Sequence, residues 1–410
     1  METADVIVVG GGAAGLATAI FAARRRPGRK ILILDGARKL GAKILVSGGG
    51  RCNVTNSSVT EADFNGGSSR IVRRVLRAFR VEQTVAFFEE LGVRLHEEES
   101  GKLFPDSNQA RTVLDALLGE AERRGVRILA GQRVVSIERR DEAFQVGTHE
   151  RSLSAGRVVL ATGGLSLPKT GSDGLGLDIA VQMGHSVIAT TPALVPLVLR
   201  GEFHRPLSGV SQPVELTVRA EGRAAVRMRG ALLWTHFGVS GPVVLDVSRF
   251  WCRARLDGCD AAVSACFFPG DDFAEVETRI LAIAAERPRL RIQNVLSERL
   301  PASVARAVLG ELELWEETPV GRLGRDDRRR LVHALVDWPL PVSDSRGYSF
   351  AEVTAGGIPL EEIDATTMAS RKCPGLYLVG EMLDVDGRIG GFNFQWAWST
   401  GFVAGSAAVE

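Results

Sequence analysis

Three side chains stand out for the chemistry that their types allow. Cys52 lies between Arg51 and Asn53, directly after the run Gly48-Gly49-Gly50. A thiol beside a guanidinium is expected to have a lowered pKa and could donate a proton. The same residue could instead be a small half-buried group packed beneath a ligand. Arg51 could stabilise an oxyanion that develops during a reaction, or clamp a phosphate. His236, in Trp234-Thr235-His236-Phe237-Gly238, is of a type that orients a substrate or gives up a proton near neutrality. It is equally of a type that satisfies a structural hydrogen bond. The six histidines are scattered with no HExxH pattern, and Cys52, Cys252, Cys259, Cys266 and Cys373 form no CxxC pair. No metal is therefore expected.

What must position these groups is legible in the glycines. Val6-Ile7-Val8-Val9 is an apolar run of strand type that ends in Gly10-Gly11-Gly12-Ala13-Ala14-Gly15, where a helical pattern begins. The spacing is G-x-G-x-x-G. Gly10 permits a tight turn, Gly12 lets a pyrophosphate approach the backbone, and Gly15 allows close packing of helix on strand. The free N–H groups of the helix N-terminus, including those around Ala13 and Ala14, then face the phosphates. A second strand, Ile31 to Leu34, closes on Asp35, twenty residues beyond Gly15. A carboxylate there can accept hydrogen bonds from both ribose hydroxyls. An ordinary glycine turn would leave Asp35 unexplained.

Two dinucleotides could occupy such a site. NAD would want a separate catalytic domain downstream, whereas FAD would want contacts from late strands because its flavin end reaches across the sheet. Late glycine signals are present at Ala161-Thr162-Gly163-Gly164 and at Gly380-Glu381, and the helix opening at Gly390-Gly391 could face a reduced, anionic flavin ring with its N-terminus. These features favour FAD. No second G-x-G-x-x-G follows a strand, so a dedicated NAD(P)H domain is not expected.

At 410 residues the chain can bury one large core or two to three domains, and its net charge of +1 excludes a broadly basic nucleic-acid binder without excluding a local basic face. No apolar run reaches membrane-spanning length, and no basic-then-apolar leader precedes the first strand. A cytoplasmic protein without a membrane contact is expected, and unpaired cysteines suit a reducing compartment.

The expected fold class is α/β, a Rossmann-like domain of two chain segments with an inserted β-barrel and helical subdomain. The first domain is placed at 1–190 and 346–410, and the insert at 191–345, with 191–270 barrel-like and 271–340 helical. Within the first domain, 70–92 and 109–125 have helical periodicity and 126–147 alternates like strands. Arg157 to Leu160 is a further strand, and Gly375 to Glu381 another. In the insert, short strands are read at Val214 to Val218, Ala225 to Met228, Ala231 to Trp234, Val243 to Val247 and Ala261 to Phe267.

The segments KILVSGGGRCNVTN (43–56), ATGGLSLPKTGSDGLG (161–176), LLWTHFGVSGP (232–242), VTAGGI (353–358) and GEMLDVDGRIGGFNFQWAWSTGFVAG (380–405) resemble the BaiN/YhiN-type family of FAD-dependent oxidoreductases, also labelled aminoacetone-oxidase-like flavoproteins. The similarity runs from the first strand to the last helix. It implies electrons from NAD(P)H, held by flavin N5 and passed as hydride to a C=C conjugated with a carbonyl. Members are linked either to dihydrouridine formation in ribosomal RNA, here a uridine of 23S RNA, or to reduction of a small enone of a steroid or bile-acid intermediate. A flavoprotein that binds RNA or a protein partner without turnover is a third reading. Carried over by match, Gly10, Gly12, Gly15 and Asp35 would hold the ADP half. Lys43, Ser47, Gly48, Gly49, Arg51, Cys52 and Asn53 would lie along the pyrophosphate and ring. Val134, Ala161, Thr162, Gly163, Thr170, Gly380 and Glu381 would complete the sheet side, with Asp386, Gly391, Asn393 and Phe394 by the isoalloxazine.

For RNA, the strand-rich part of the insert is the place to look. From Leu199 to Leu256 there are nine arginines and four acids, interleaved with Phe203, Trp234, Phe237, Phe250 and Trp251. Arginine for phosphate and aromatic rings for stacking are what an RNA surface needs. A barrel with core aromatics and a charged exterior gives the same pattern.

Overall fold

The computed structural model describes residues 2–222 and 225–410. Backbone contacts divide the chain into two compact units, one of residues up to Pro192 together with Ala351–Glu410, the other Ala193–Phe350.

The first unit is built on a seven-stranded sheet. Its central strand, Glu2–Val9, pairs in parallel with Ile31–Asp35 on one side and with Ser152–Leu160 on the other. Arg127–Ala130 extends the parallel set beyond Ile31–Asp35, and Leu376–Leu378 lies parallel to Ser152–Leu160. An antiparallel pair, Ala143–Thr148 and Val134–Arg140, continues from the N-terminal half of Ser152–Leu160. Parallel strands covered on both faces read as continuous apolar runs, and Val6–Val9 and Ile31–Leu34 are buried at every position.

One face of this sheet carries the helix Ala13–Arg25, which packs against the last helix, Phe392–Ala407. Small residues make that approach possible. A Cβ on Gly401 would lie 2.9 Å from the Ala14 carbonyl oxygen, and one on Gly405 would lie 2.4 Å from that of Thr18. The two ends of the sequence are thereby locked together. The region 70–92 is two helices, Ser69–Ala78 and Val81–Glu90, because Phe79 and Arg80 take extended backbone between them.

The second unit holds an antiparallel sheet in the order Trp338–Leu340, Ala261–Cys266, Ser211–Ala220, Val226–Thr235, Gly238–Ser240, Leu197–Leu199, Val342–Ser345. Its two outer strands are consecutive in sequence, joined by Pro341 alone. The sheet therefore curls until its edges meet. A one-residue link cannot fold back into a ladder, since even the tightest hairpin needs two. Among the described residues the expected barrel is thus not closed by hydrogen bonds.

Two further expectations are corrected. Val243 to Val247 belongs not to a strand but to the helix Pro242–Leu256. Pro242 occupies the first helical turn, where its fixed φ is suited and its missing N–H costs nothing. Val243, Val244, Val247, Ser248 and Trp251 form the buried face. The two short strands read at 225–234 are one strand, Val226–Thr235. The remainder is helical, at Phe273–Glu286, Ile292–Ser297, Ala302–Glu311 and Arg325–Val336.

Candidate cofactor site

The three glycines of the opening loop are held for three different reasons. Gly10 has φ +106°, and a Cβ there would lie 2.4 Å from the Ala161 carbonyl oxygen. Gly15 sits so close to the turn that its Cβ would lie 1.9 Å from the Gly10 oxygen. Gly12 differs. It caps the helix Ala13–Arg25 with ordinary extended backbone, and a Cβ on it would meet nothing within 4 Å. The protein itself makes no use of the missing side chain, at a helix N-terminus whose N–H groups suit an anion. At Gly11 a Cβ would lie 2.2 Å from the Leu40 side chain, which would have to shift.

Asp35 closes its strand and turns its carboxylate back to the loop. Oδ2 accepts from the Gly11 N–H at 2.6 Å and Oδ1 from the Ala37 N–H at 2.7 Å. A carboxylate has about four acceptor positions, so two remain for ribose hydroxyls.

The stretch 42–53 is a helix that unwinds into glycines. Ser47 leaves helical geometry, and Gly48, Gly49 and Gly50 take left-handed backbone. Gly48 is pressed against Phe104 and Asn53, while Gly49 faces open space. Cys52 also has a left-handed backbone, φ +63°, and is fully buried. Burial pushes its thiol up to about 12, although a hydrogen bond with Ser47 acts in the opposite direction. The expected lowered pKa is therefore corrected: desolvation outweighs the hydrogen bond, and the neighbouring cation does not contribute.

That cation is committed elsewhere. Arg51 makes a two-point ion pair with Glu98, at 2.6 and 3.2 Å, and lies 4.0 Å over the Phe104 ring. Its hydrogen bonds hold the Glu98 carboxyl below its usual range. Asn53 is buried, and its Oδ1 has no hydrogen-bond partner.

Lys43 and Glu381, from opposite ends of the chain, meet at 2.6 Å. Ser166 and Thr354 complete the arrangement. Lys43 Nζ donates to Ser166 Oγ at 2.7 Å, and Ser166 Oγ donates to Glu381 Oε1 at 2.5 Å. The Thr354 N–H and hydroxyl donate to the same carboxylate oxygen, and Thr354 Oγ1 accepts from the Leu165 and Ser166 N–H groups. This network ties four segments of the first unit, and neither Ser166 nor Thr354 was singled out from the sequence.

Gly380 has φ +73° and touches Ala14 of the first helix, and its N–H donates to Thr400. Gly391 caps the last helix, where a Cβ would lie 2.5 Å from the Thr55 backbone. Asn393 makes two hydrogen bonds to the Gly387 backbone and so fixes the loop containing the buried Asp386. Phe394 stacks on Trp398 with centroids 5.6 Å apart. Thr162 packs under Gly176 at the start of the helix Leu175–Gln182, and Gly163 with φ +75° packs against Ser172. Val134 is buried at the start of its strand, and the Thr170 hydroxyl donates to the Leu167 carbonyl.

His236 belongs to the second unit. It is exposed, in the turn between Val226–Thr235 and Gly238–Ser240. Of the aromatic residues expected to stack on RNA, Trp234 and Trp251 are buried core. Arg205, Arg219, Arg229 and Arg255 each pair with a carboxylate. Arg223 of the same set lies outside the described residues.

The first unit fits a dinucleotide on its own geometry. Open space over Gly12 at a helix N-terminus is of a kind that could take a pyrophosphate, Asp35 keeps acceptor capacity, and the buried Asn53 Oδ1 has no donor. Among the described residues no cluster of histidine, cysteine or carboxylate could hold a metal ion, and no helix is long and apolar enough to cross a membrane.

Comparison with known proteins bears on the family and the fold. Residues 4–407 match the family model described as HI0933-like protein Rossmann domain. The chain is 34% identical over 407 residues to the ribosomal RNA dihydrouridine synthase of Escherichia coli, covering 98% of this chain and 96% of that protein. It is 32% identical over 403 residues to the 3-dehydro-bile acid delta(4,6)-reductase of Clostridium scindens, covering 98% of each. Among solved structures, an Escherichia coli quinol fumarate reductase aligns with a TM-score of 0.51 at 16% identity, over 100% of this chain and 70% of that one, a likeness of fold.

Proposed function

We infer, for a chain that belongs to the HI0933-like family and is an FAD-dependent oxidoreductase, that it uses NAD(P)H to saturate a C=C bond conjugated to a carbonyl. The observation that carries this reading is similarity along nearly the whole chain to two enzymes, one forming dihydrouridine in ribosomal RNA and one reducing a bile-acid dienone. Their substrates differ, but both reactions add two hydrogens across an electron-poor double bond. Within the family we place the chain with the BaiN/YhiN type, and we take a uridine of ribosomal RNA as the leading substrate. A small enone is the second reading, favoured by the bile-acid reductase covering 98% of the chain.

FAD, when bound, supplies hydride drawn from NAD(P)H. The protein's own part is positional. Residues 1–190 and 346–410 hold the cofactor, and 191–345, with its curled sheet and helices, carry substrate recognition. The N–H groups after Gly12 receive the pyrophosphate, Asp35 the ribose, and Asn53 a ring donor. Lys43 and Glu381 fix the segments around them. Cys52, neutral near pH 7, packs rather than donates. Five free thiols suit work in a reducing cytoplasm.

The test is anaerobic turnover of the flavin-loaded protein with NADPH or NADH, supplied with a ribosomal RNA fragment or with a conjugated enone. A mass gain of two hydrogens on a uridine supports the RNA reading, and enone-dependent NAD(P)H oxidation supports the second. Cofactor oxidation that neither substrate accelerates, with neither product formed, overturns the proposal.

A further inference from the structure

In the second unit Arg346 is held by two aromatic rings rather than by a carboxylate. Arg205, Arg219, Arg229, Arg279 and Arg299 each have a carboxylate within ion-pair distance. Arg346 has none among the described residues. Its guanidinium instead lies over two aromatic faces, 3.4 Å from the Phe350 centroid and 4.4 Å from that of Phe237. His236 stands edge-on to Phe237 at 5.1 Å. Phe350 is 47% exposed, and His236 is exposed as well.

The backbone fixes this cluster. The Arg346 N–H donates to the Pro196 carbonyl at 3.0 Å, and a turn from Gly347 to Phe350 follows. The Phe237 carbonyl accepts from the Leu199 N–H at 3.1 Å. The cation is thus held on rigid supports, while stacking occupies only the faces of the guanidinium. Its five N–H donors lie in the plane, and none has an acceptor among the described residues. A stacked arginine loses little further entropy on binding, and its planar fork matches the oxygens of a phosphodiester or carboxylate.

We propose that Arg346, framed by Phe237, Phe350 and His236, is an oxyanion subsite of the insert that takes the anionic group of the substrate. That group would be a phosphodiester if the substrate is RNA, or a side-chain carboxylate if it is a steroid. Phe350 offers its exposed ring to the flat or apolar body attached to the anion. Arg346 here is a binding residue, and the assignment rests on the proposed substrate class.

The experiment measures binding by the flavin-loaded protein of two probes, a fluorescent uridine-rich RNA oligonucleotide and a 3-oxo-Δ4 steroid bearing a carboxylate, over a range of salt. Arg346→Met is expected to weaken whichever probe the wild type binds by about 10- to 100-fold, the loss of one charge-assisted contact. With RNA, the slope of log affinity on log salt should also shrink by about 0.7, one phosphate contact. Arg346→Lys should keep the salt slope while losing part of the affinity, and Phe350→Ala should weaken binding with the slope unchanged. A merely structural arginine would not move the slope, and flavin content and thermal unfolding report on folding independently. Equal affinity and slope in the wild type and Arg346→Met overturns the subsite while leaving the proposed function standing. A wild type that binds neither probe overturns both.

Discussion

Replacing Gly12 with valine should separate folding from cofactor retention. The residue has φ −81° and ψ −168°, backbone that valine adopts without strain. No atom lies within 4 Å of where the new Cβ would sit. The cost to the fold is then only that of a poorer helix cap, about 0.5–1 kcal/mol, or a fall in melting temperature of roughly 1 °C for a chain of this length. The cofactor would fare differently. A side chain above this helix N-terminus keeps the pyrophosphate off the amides, and each charge-assisted hydrogen bond lost weakens binding roughly 10- to 100-fold. Gly15→Ala makes the contrast, because its Cβ would lie 1.9 Å from the Gly10 oxygen. Such a clash forces backbone apart and should cost about 3 kcal/mol or more. The assay is visible flavin absorbance per protein after purification, read beside thermal unfolding of the cofactor-free proteins. A Gly12→Val protein that folds and emerges yellow, with stoichiometric FAD, would refute the assignment of this open space to the pyrophosphate.

Cys52→Ala should leave the pH dependence of turnover near neutrality unchanged, measured as kcat/KM against pH, because the buried thiol does not ionise there. The same thiol bears on stability. Its folded pKa is raised from 9.0 to about 12, so the stability held by the neutral form is present below pH 9 and is lost as pH rises toward 12. Alkaline unfolding should therefore be shallower in Cys52→Ala than in the wild type. Lys43→Met strands the Glu381 carboxylate. With side chains 24% and 17% exposed, the loss should be about 2 kcal/mol, less than the roughly 3–5 of a fully buried pair. Glu381→Gln, which keeps acceptors for Thr354, should lose less, as denaturant titration would show. Gly405→Val drives a side chain into the Thr18 carbonyl 2.4 Å away. It should cost about 3 kcal/mol or more and lower flavin content together with melting temperature.

The parts of the fold that were legible are those in which one local signal is enough. Val6–Val9 and Ile31–Leu34 are apolar at every position because both faces of a parallel sheet are covered, and glycine marks where each strand ends. Val243 to Val247 misled because a short apolar run fits a buried strand and a helix face equally well. The deciding signal was Gly241-Pro242, a helix start. The barrel was half legible. Alternation gave the strands, but only the single residue between Leu340 and Val342 shows that the two edges meet without pairing.

The site divides in the same way, and the reason is distance along the chain. Gly10, Gly12 and Gly15 share one motif, yet the sequence cannot say which of them the protein uses for itself. That distinction depends on Ala161 lying against Gly10, a contact 151 positions away. Arg51 next to Cys52 suggested an activated thiol because neighbours in sequence were read as neighbours in space. The guanidinium turns instead to Glu98, 47 residues on, and Cys52 sinks into the core. Lys43, Glu381, Ser166 and Thr354 make the same point from the other side, since no local pattern joins residues drawn from such distant segments. A motif therefore reports which backbone can receive a phosphate. The charge state of the groups around it is set by surroundings that only the folded chain brings near, and at Cys52 burial reverses the sign of the expected shift.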